Sequence, residues 1–311
     1  MDILTILGPT ASGKTVLAAA VAARTGGEII SADSRQVYRR MDIGTGKDLS
    51  DYVVDGHSVA YHLIDICEPG TRYNLFRYQH DFRLALDDIV SRGRLPIICG
   101  GTGLYIEAVL RGYRLAAVPE NAALRADLAG KSLSELTSIL RKMKARNGSA
   151  MHNTTDVDTA QRTIRAIEIE AGIANGEETE GETTDRTDVG QPLIVGISIS
   201  RDERRRRITQ RLKARLSGGM VEEVRALLDS GVPADDLIYY GLEYKYVTEH
   251  VLGLISLEEM FRRLEIAIHQ FAKRQMTWFR GMERRGLAIH WIDGMMTTEQ
   301  QAEQVMAIMN C

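Results

Sequence analysis

Cysteine is scarce in this chain: Cys67, Cys99 and Cys311 are the only three among 311 residues, widely separated and odd in number. That excludes a disulfide framework and fits no zinc spacing, so a reducing compartment is expected. Long apolar runs are also missing. None approaches the ~20 residues that a membrane helix needs. The chain opens directly into a strand and loop, which leaves no room for a signal or transit peptide. The expectation is a cytoplasmic protein without membrane contact. Excess charge is absent too, with 39 basic against 42 acidic residues and a net charge of −3. A nucleic-acid partner would therefore need a local basic face. No internal repeat is evident, and no long apolar seam marks an oligomer interface, which points to a monomer. What remains is an ordinary globular composition, 44% apolar and 26% charged, in a chain long enough for one large or two modest domains.

The first hundred residues alternate short apolar runs with helical spacing. Strands are expected at Ile3 to Leu7, Glu28 to Ala32 and Leu95 to Cys99, with helices at Val16 to Arg24 and Phe76 to Ser91 between them. Such alternation predicts βαβ units in a parallel sheet. From about Tyr113 the strand signal stops. Helical segments follow at Ala122 to Ala129, Leu133 to Arg146 and Asp156 to Ala171, and "ANGEETEGETTDRTDVG" reads as a flexible acidic loop. The sheet resumes at Leu193 to Ile197, helices dominate to Arg285, and a strand at Ile289 to Ile292 precedes a last helix. The expected fold is thus α/β, a P-loop NTPase-like parallel sheet flanked by helices, built from residues 1–112 and 191–311. A mainly helical insertion occupies 113–190.

The stretch "GPTASGKT" matches Gly-x-x-x-x-Gly-Lys-Thr between a strand and a helix, as a phosphate loop requires. Gly8, Pro9, Thr10, Ala11, Ser12 and Gly13 would let backbone N–H groups approach phosphate oxygens. Lys14 would add a point charge, and Thr15 a hydroxyl for Mg²⁺. A triphosphate-hydrolysing site would also want an acidic metal ligand at a second strand end. Asp87 and Asp88 in "LALDDIV" lie on helical spacing and read as a solvated face, and Asp65 in "HLIDI" is a weaker candidate.

"SADSRQVY" follows the second strand and places Asp33 at a carboxyl end of the sheet, where open α/β proteins bind ligands; helix capping by Asp33 or Ser34 is the alternative. "GGTGLY" follows the third strand, with Thr102 available to a ligand or to a structural turn. The stretch "SRDERRRRITQRLKARL" concentrates cations on a helix, of which one face can reach only a few. "AKRQMTWFRG" interleaves Lys273, Arg274 and Arg280 with Trp278 and Phe279, a composition suited to single-stranded RNA. Core packing is the competing reading for the two aromatics.

In this order "GPTASGKT", "DSRQVY", "MDIGTGK", "HLIDI", "GGTGLY" and "AKRQMTWFRG" together resemble the tRNA dimethylallyltransferase (tRNA isopentenyltransferase) family, from Leu7 to about Gly281. The resemblance implies transfer of the dimethylallyl group from dimethylallyl diphosphate to the exocyclic N6 amine of the adenosine just 3′ of the anticodon in tRNA. Diphosphate leaves with the help of Mg²⁺. It further implies that the phosphate loop holds the prenyl donor, that Asp33 accepts the amine proton, and that Lys14, Thr15 and Arg201 meet the leaving diphosphate. By the same resemblance tRNA, through its anticodon stem-loop, would contact Asp33, Ser34, Arg35, Gln36, Thr102, and Lys273, Arg274, Gln275, Thr277, Trp278 and Arg280. Gln161, Arg162, Thr163, Ile164 and Arg165 match a further tRNA-contacting element, and Arg125 is a looser match. The chain departs from the family at "GLEYKY", with Glu243 where glycine is usual and Tyr246 after Lys245, which bears on substrate preference.

Three other readings compete. Prenylation of free adenine nucleotides would need no helical insertion and no basic–aromatic segment. A small-molecule P-loop kinase would need the acidic metal ligand that no motif supplies. A non-catalytic RNA-binding protein would have no use for Lys14, Thr15 and Asp33 together.

Overall fold

Neighbouring residues on each strand belong to different apolar layers. Ile3 and Leu7 pack into one, and Leu4 and Ile6 into the other. This two-residue alternation with apolar side chains on both sides is the signature of a strand covered on both faces. The computed structural model describes residues 2–113, 118–148, 155–176 and 189–310. Most of the expected acidic loop, 177–188, and Cys311 lie outside the described residues.

The elements run β1 (Ile3–Leu7), α1 (Lys14–Thr25), β2 (Glu28–Ala32), β3 (Val53–Val54), β4 (His57–Ser58), β5 (Tyr61–His62), α2 (Leu75–Ser91), β6 (Pro96–Gly100) and α3 (Gly103–Arg111). Next come α4 (Ala122–Leu128), α5 (Leu133–Arg146) and α6 (Ala160–Ala174). The chain then continues through β7 (Pro192–Ser198), α7 (Arg201–Ser217), α8 (Met220–Asp229), α9 (Ala234–Tyr239), α10 (Leu242–Val251), α11 (Leu257–Arg284), β8 (His290–Asp293) and α12 (Thr298–Met309). Six strands form one parallel sheet in the order β5-β2-β6-β1-β7-β8, and β3 and β4 make a separate small hairpin. The architecture is a P-loop-like α/β fold.

Three expectations shift. Helix α3 begins inside "GGTGLY", where the glycines suggest a turn; Tyr105, Ile106, Ala108 and Val109 bury its inner face. The edge strand β5 is only two residues long and carries no periodicity to detect. Helix α6 starts at Ala160 rather than Asp156, because the Thr159 hydroxyl accepts from the Arg162 N–H and caps it there.

The chain divides into two compact units, 1–111 with 187–311, and 112–186. The smaller unit has its own core of Leu128, Leu136, Leu140 and Ile167. The capping box of Ser132 and Glu135 starts α5. Gly172 lets α6 approach Val118, where a Cβ would stand 2.3 Å from a valine methyl.

Candidate active site

Strands β2, β6 and β1 lie side by side and parallel, so the loops that leave their carboxyl ends emerge at one edge of the sheet. These loops are "SADSRQVY", "GGTG" and the phosphate loop. In the phosphate loop Ala11 (φ 61°) and Gly13 (φ 87°) are left-handed, which turns the chain tightly before α1. No side chain caps α1. Its first N–H groups and its dipole therefore stand ready for an anion.

A cavity of about 470 Å³ opens there, and it lies wholly within the larger unit. One wall carries Thr10 to Thr15 of the loop, and a second carries Asp33 to Gln36 and Thr102. The far wall comes from α7, α10 and α11 and brings Arg211, Arg215, Glu243, Arg274 and Gln275, with the apolar Leu242, Ile268, Phe271 and Trp278.

Most of the cations around this cavity have no carboxylate partner among the described residues. No carboxylate lies within salt-bridge distance of Lys14, Arg211, Arg35 or Arg274 among the described residues, and Arg215 reaches only Asp48, at 3.6 Å. Burial lowers the Lys14 ammonium below its ordinary value, opposed by Cys99 and Asp33 and reinforced by Arg211 and Arg215. Burial, with Arg215 beside it, pushes the Arg211 guanidinium down to about 10. Arg211 is held against the loop by its bond to the Thr10 hydroxyl. Glu243 shares the wall with Arg211 and Arg215; burial raises its carboxyl, while the two arginines draw it back. Crowded, desolvated cations of this kind are relieved by a multiply charged anion.

Polar clamps hold the walls. Gln275, only 7% exposed, accepts from the Thr10 N–H (2.9 Å) and donates to the Gly101 carbonyl (2.8 Å), joining two site loops to α11. Glu223 on α8 accepts from the N–H groups of Asp42, Ile43 and Gly44 and from the Tyr244 hydroxyl (2.7–3.0 Å). It thereby fixes the "MDIGTGK" loop. Gly46 there (φ 71°) leaves room for Arg215, whose guanidinium a Cβ would strike at 1.9 Å. Asp33 accepts from the Arg35 N–H at 2.9 Å, and the Thr102 hydroxyl accepts from the Ser34 N–H at 3.1 Å.

The structure brings together Thr10, Ala11, Ser12, Gly13, Lys14, Thr15, Asp33, Ser34, Arg35, Gln36, Thr102, Arg274, Gln275 and Trp278. Others it places elsewhere. Gly8 and Pro9 are buried beneath the loop and do not line the cavity. Arg201 is corrected: it stands ten residues, about 15 Å, before Arg211 on α7 and lines a different cavity. Asp65 is no metal ligand candidate, because it pairs with the buried Lys47. Asp87 and Asp88 lie on α2, where they meet Arg83 and Arg92. Gln275 spends its amide on the clamp rather than facing a ligand. Trp278 packs its ring on Gly103, and Phe279 is fully buried. Lys273, Thr277 and Arg280 are exposed on α11 outside this cavity.

In the smaller unit Thr163 is buried and bonds the Thr159 carbonyl, and Ile164 packs on that unit's core, so neither side chain faces outward as expected. Arg125 and Arg165 both bind the buried Glu168. Gln161 and Arg162 remain exposed.

Sequence reasoning does not single out Arg211, Arg215 or the Glu223 clamp. The arginines do carry a signal: Arg204, Arg211 and Arg215 share one helical stripe around the buried Ile208.

Two family models match the chain, IPP transferase over residues 36–282 and isopentenyl transferase over residues 1–59. The chain is 58% identical over 309 residues to the tRNA dimethylallyltransferase 1 of Parabacteroides distasonis, covering 99% of this chain and 98% of that one. It is 60% identical over 305 residues to the tRNA dimethylallyltransferase 1 of Porphyromonas gingivalis, covering 98% of each. The crystal structure of a full-length tRNA isopentenylpyrophosphate transferase from Bacillus halodurans is similar with a TM-score of 0.69 at 29% identity, over 100% of this chain and 96% of that one. A phosphate loop facing a strand-end carboxylate across a cation-lined cavity thus comes with family matches that together run from the first residue to 282, and the chain belongs to the IPP transferase family.

Proposed function

We propose that this chain transfers a dimethylallyl group from dimethylallyl diphosphate to the N6 amine of the adenosine 3′-adjacent to the anticodon in tRNA. One observation carries the reading: Lys14 and Arg211 crowd as partly desolvated cations around one cavity, with Asp33 in its wall. In the transfer, the bond between the allylic carbon and the diphosphate oxygen breaks while the N6–carbon bond forms. The electron pair leaves with diphosphate, and the amine loses one proton. The adenine amine is a weak nucleophile because its lone pair is delocalised into the ring. Asp33 accepts its proton, an effect worth roughly 10²–10⁴ in rate.

The first N–H groups of α1, Lys14, Arg211 and Arg215 receive the leaving diphosphate, and preorganised charge of this kind is the largest contribution to such a reaction. Ile268, Phe271 and Leu242 supply an apolar wall for the prenyl tail. The reacting base leaves its stack to enter the cavity, and Thr102, Ser34 and Arg35 are at hand to orient it.

Mg²⁺ prefers a few protein oxygens supplemented by phosphate and water. The Thr15 hydroxyl in the cavity suits that, and no cluster of three acidic, His or Cys ligands occurs among the described residues. When bound, the ion would neutralise part of the diphosphate charge, with Thr15 as its protein ligand. No helix among the described residues is long and apolar enough to cross a membrane.

The test is incubation of the protein with labelled dimethylallyl diphosphate and either tRNA or AMP. Label is expected in tRNA at the adenosine next to the anticodon. Label in AMP alone, or phosphate transfer from ATP with no prenyl transfer, would replace this reading.

A further inference from the structure

A second cavity, of about 300 Å³, is lined by Arg201, Arg204 and Arg205 of α7 and by His269, Gln270 and Lys273 of α11. Four of its six lining residues are permanently cationic. None of those four has a carboxylate within salt-bridge distance among the described residues. Their neighbours show that this is not the rule for the helix: Arg206 and Arg207 both bind Glu203, at 2.7 and 2.6 Å. The one carboxylate beside His269, Glu265, accepts instead from the Thr209 hydroxyl. His269 Nδ1 is buried and has no hydrogen-bond partner. Burial, with Arg201 and Arg280 nearby, lowers the Arg204 guanidinium below its ordinary value.

Like charges crowded without carboxylate partners, one of them partly buried and the rest at an exposed rim, are relieved by a bound counter-charge. The lining is donor-rich and acid-free, which suits phosphate oxygens. Position narrows the choice of anion further. On α7 the arginines at 201, 204, 211 and 215 share one stripe, with the first pair in this cavity and the second in the catalytic one. From Arg204 to Arg211 is about 10 Å along the helix. On α11, Lys273 lines this cavity and its neighbour Arg274 lines the other.

We infer that this second cavity is a phosphate site for the RNA backbone, holding a phosphodiester of the same strand whose base enters the catalytic cavity. It rests on the reading that RNA is the prenyl acceptor. Arg201, Arg205 and Lys273 meet the phosphate from the exposed rim, and the half-buried Arg204 from within. A free diphosphate would not need a second site, since the phosphate loop already supplies one.

The experiment compares wild type, R201Q/R205Q and a control, R206Q/R262Q, which removes the same two charges from arginines paired to Glu203 and Glu259. tRNA binding is titrated at several salt concentrations, and dimethylallyl diphosphate and inorganic phosphate binding are measured alongside. For R201Q/R205Q the salt slope should fall by roughly 1.4, or 0.7 for each single-strand phosphate that is no longer neutralised. tRNA affinity at low salt should drop about tenfold, with prenyl-donor affinity within about twofold of wild type. The control should keep the wild-type slope, and R204Q, which removes one charge, should lower it by about 0.7. An unchanged slope in R201Q/R205Q overturns the inference, including the case in which that variant loses only inorganic phosphate; so does an equal loss in the control. Wild type that binds tRNA but transfers no prenyl group to it would instead fail the functional reading, which the binding slopes do not measure.

Discussion

Arg211 and Arg125 are both partly buried arginines on helices, and they are held in opposite ways. Arg125, in the smaller unit, meets both oxygens of the buried Glu168 at 2.7 and 2.9 Å, and Arg165 meets the same carboxylate. Arg211, in the catalytic cavity, has a threonine hydroxyl and, among the described residues, no carboxylate within salt-bridge distance. The first arrangement is complete in itself and stabilises its own fold. The second is left short of negative charge, which is what a diphosphate supplies. A basic residue therefore signals a binding role through the counter-charge it lacks, and that is visible only in three dimensions.

The largest effect tests the acidic side of the cavity. Asp33→Asn should cut single-turnover prenyl transfer to tRNA by about 10²–10⁴, with diphosphate affinity and melting temperature near wild type. A large drop in melting temperature at near wild-type turnover would make Asp33 a loop cap, like any neutralised carboxylate.

Next comes the completed network. Glu168→Ala leaves Arg125 and Arg165 without their partner and should destabilise the smaller unit by about 2–3 kcal/mol, discounted for the partial exposure of both arginines. Protease sensitivity within residues 112–186 should rise while affinity for dimethylallyl diphosphate holds. Weakened donor binding in this variant would erase the distinction between the two regions.

A third test asks whether completeness matters more than location. Glu28 on β2 is paired with Arg92 and His62, and chiefly through Arg92 its carboxyl is held at about 2. Because the folded value lies below the ordinary 4.5, this stabilisation is full above about pH 4.5 and is lost as pH falls toward 2. Denaturant melts from pH 6 to 3 should show wild type losing up to about 2 kcal/mol more than Glu28→Gln. Parallel pH profiles would deny the pair its role.

The parts of the site that the sequence made legible are contiguous. The phosphate loop, Asp33 and Thr102 each follow an apolar strand within a few residues, and a parallel sheet must bring such loops to one edge. The parts that stayed hidden depend on packing. Nothing local separates Arg201 from Arg211 in a helix with so many cations, although the stripe around Ile208 limits the choice. The Gln275 clamp spans 265 residues of sequence to Thr10, and no pattern encodes such a pairing. Likewise, Thr163 and Ile164 sit in a motif that resembles an RNA contact, yet α6 turns both toward its own core. Helix α3 was masked by the glycines at its start, of which Gly103 is needed for the approach of Trp278.

The most direct test is calorimetric titration of dimethylallyl diphosphate into wild type, Arg211→Gln and Arg125→Gln. Arg211→Gln should bind the donor at least about tenfold more weakly at an unchanged melting temperature, as expected for loss of a hydrogen bond to a charged group. Arg125→Gln should keep donor affinity and melt lower. Wild-type affinity in Arg211→Gln would contradict the claim that the unneutralised cations of the cavity hold the diphosphate.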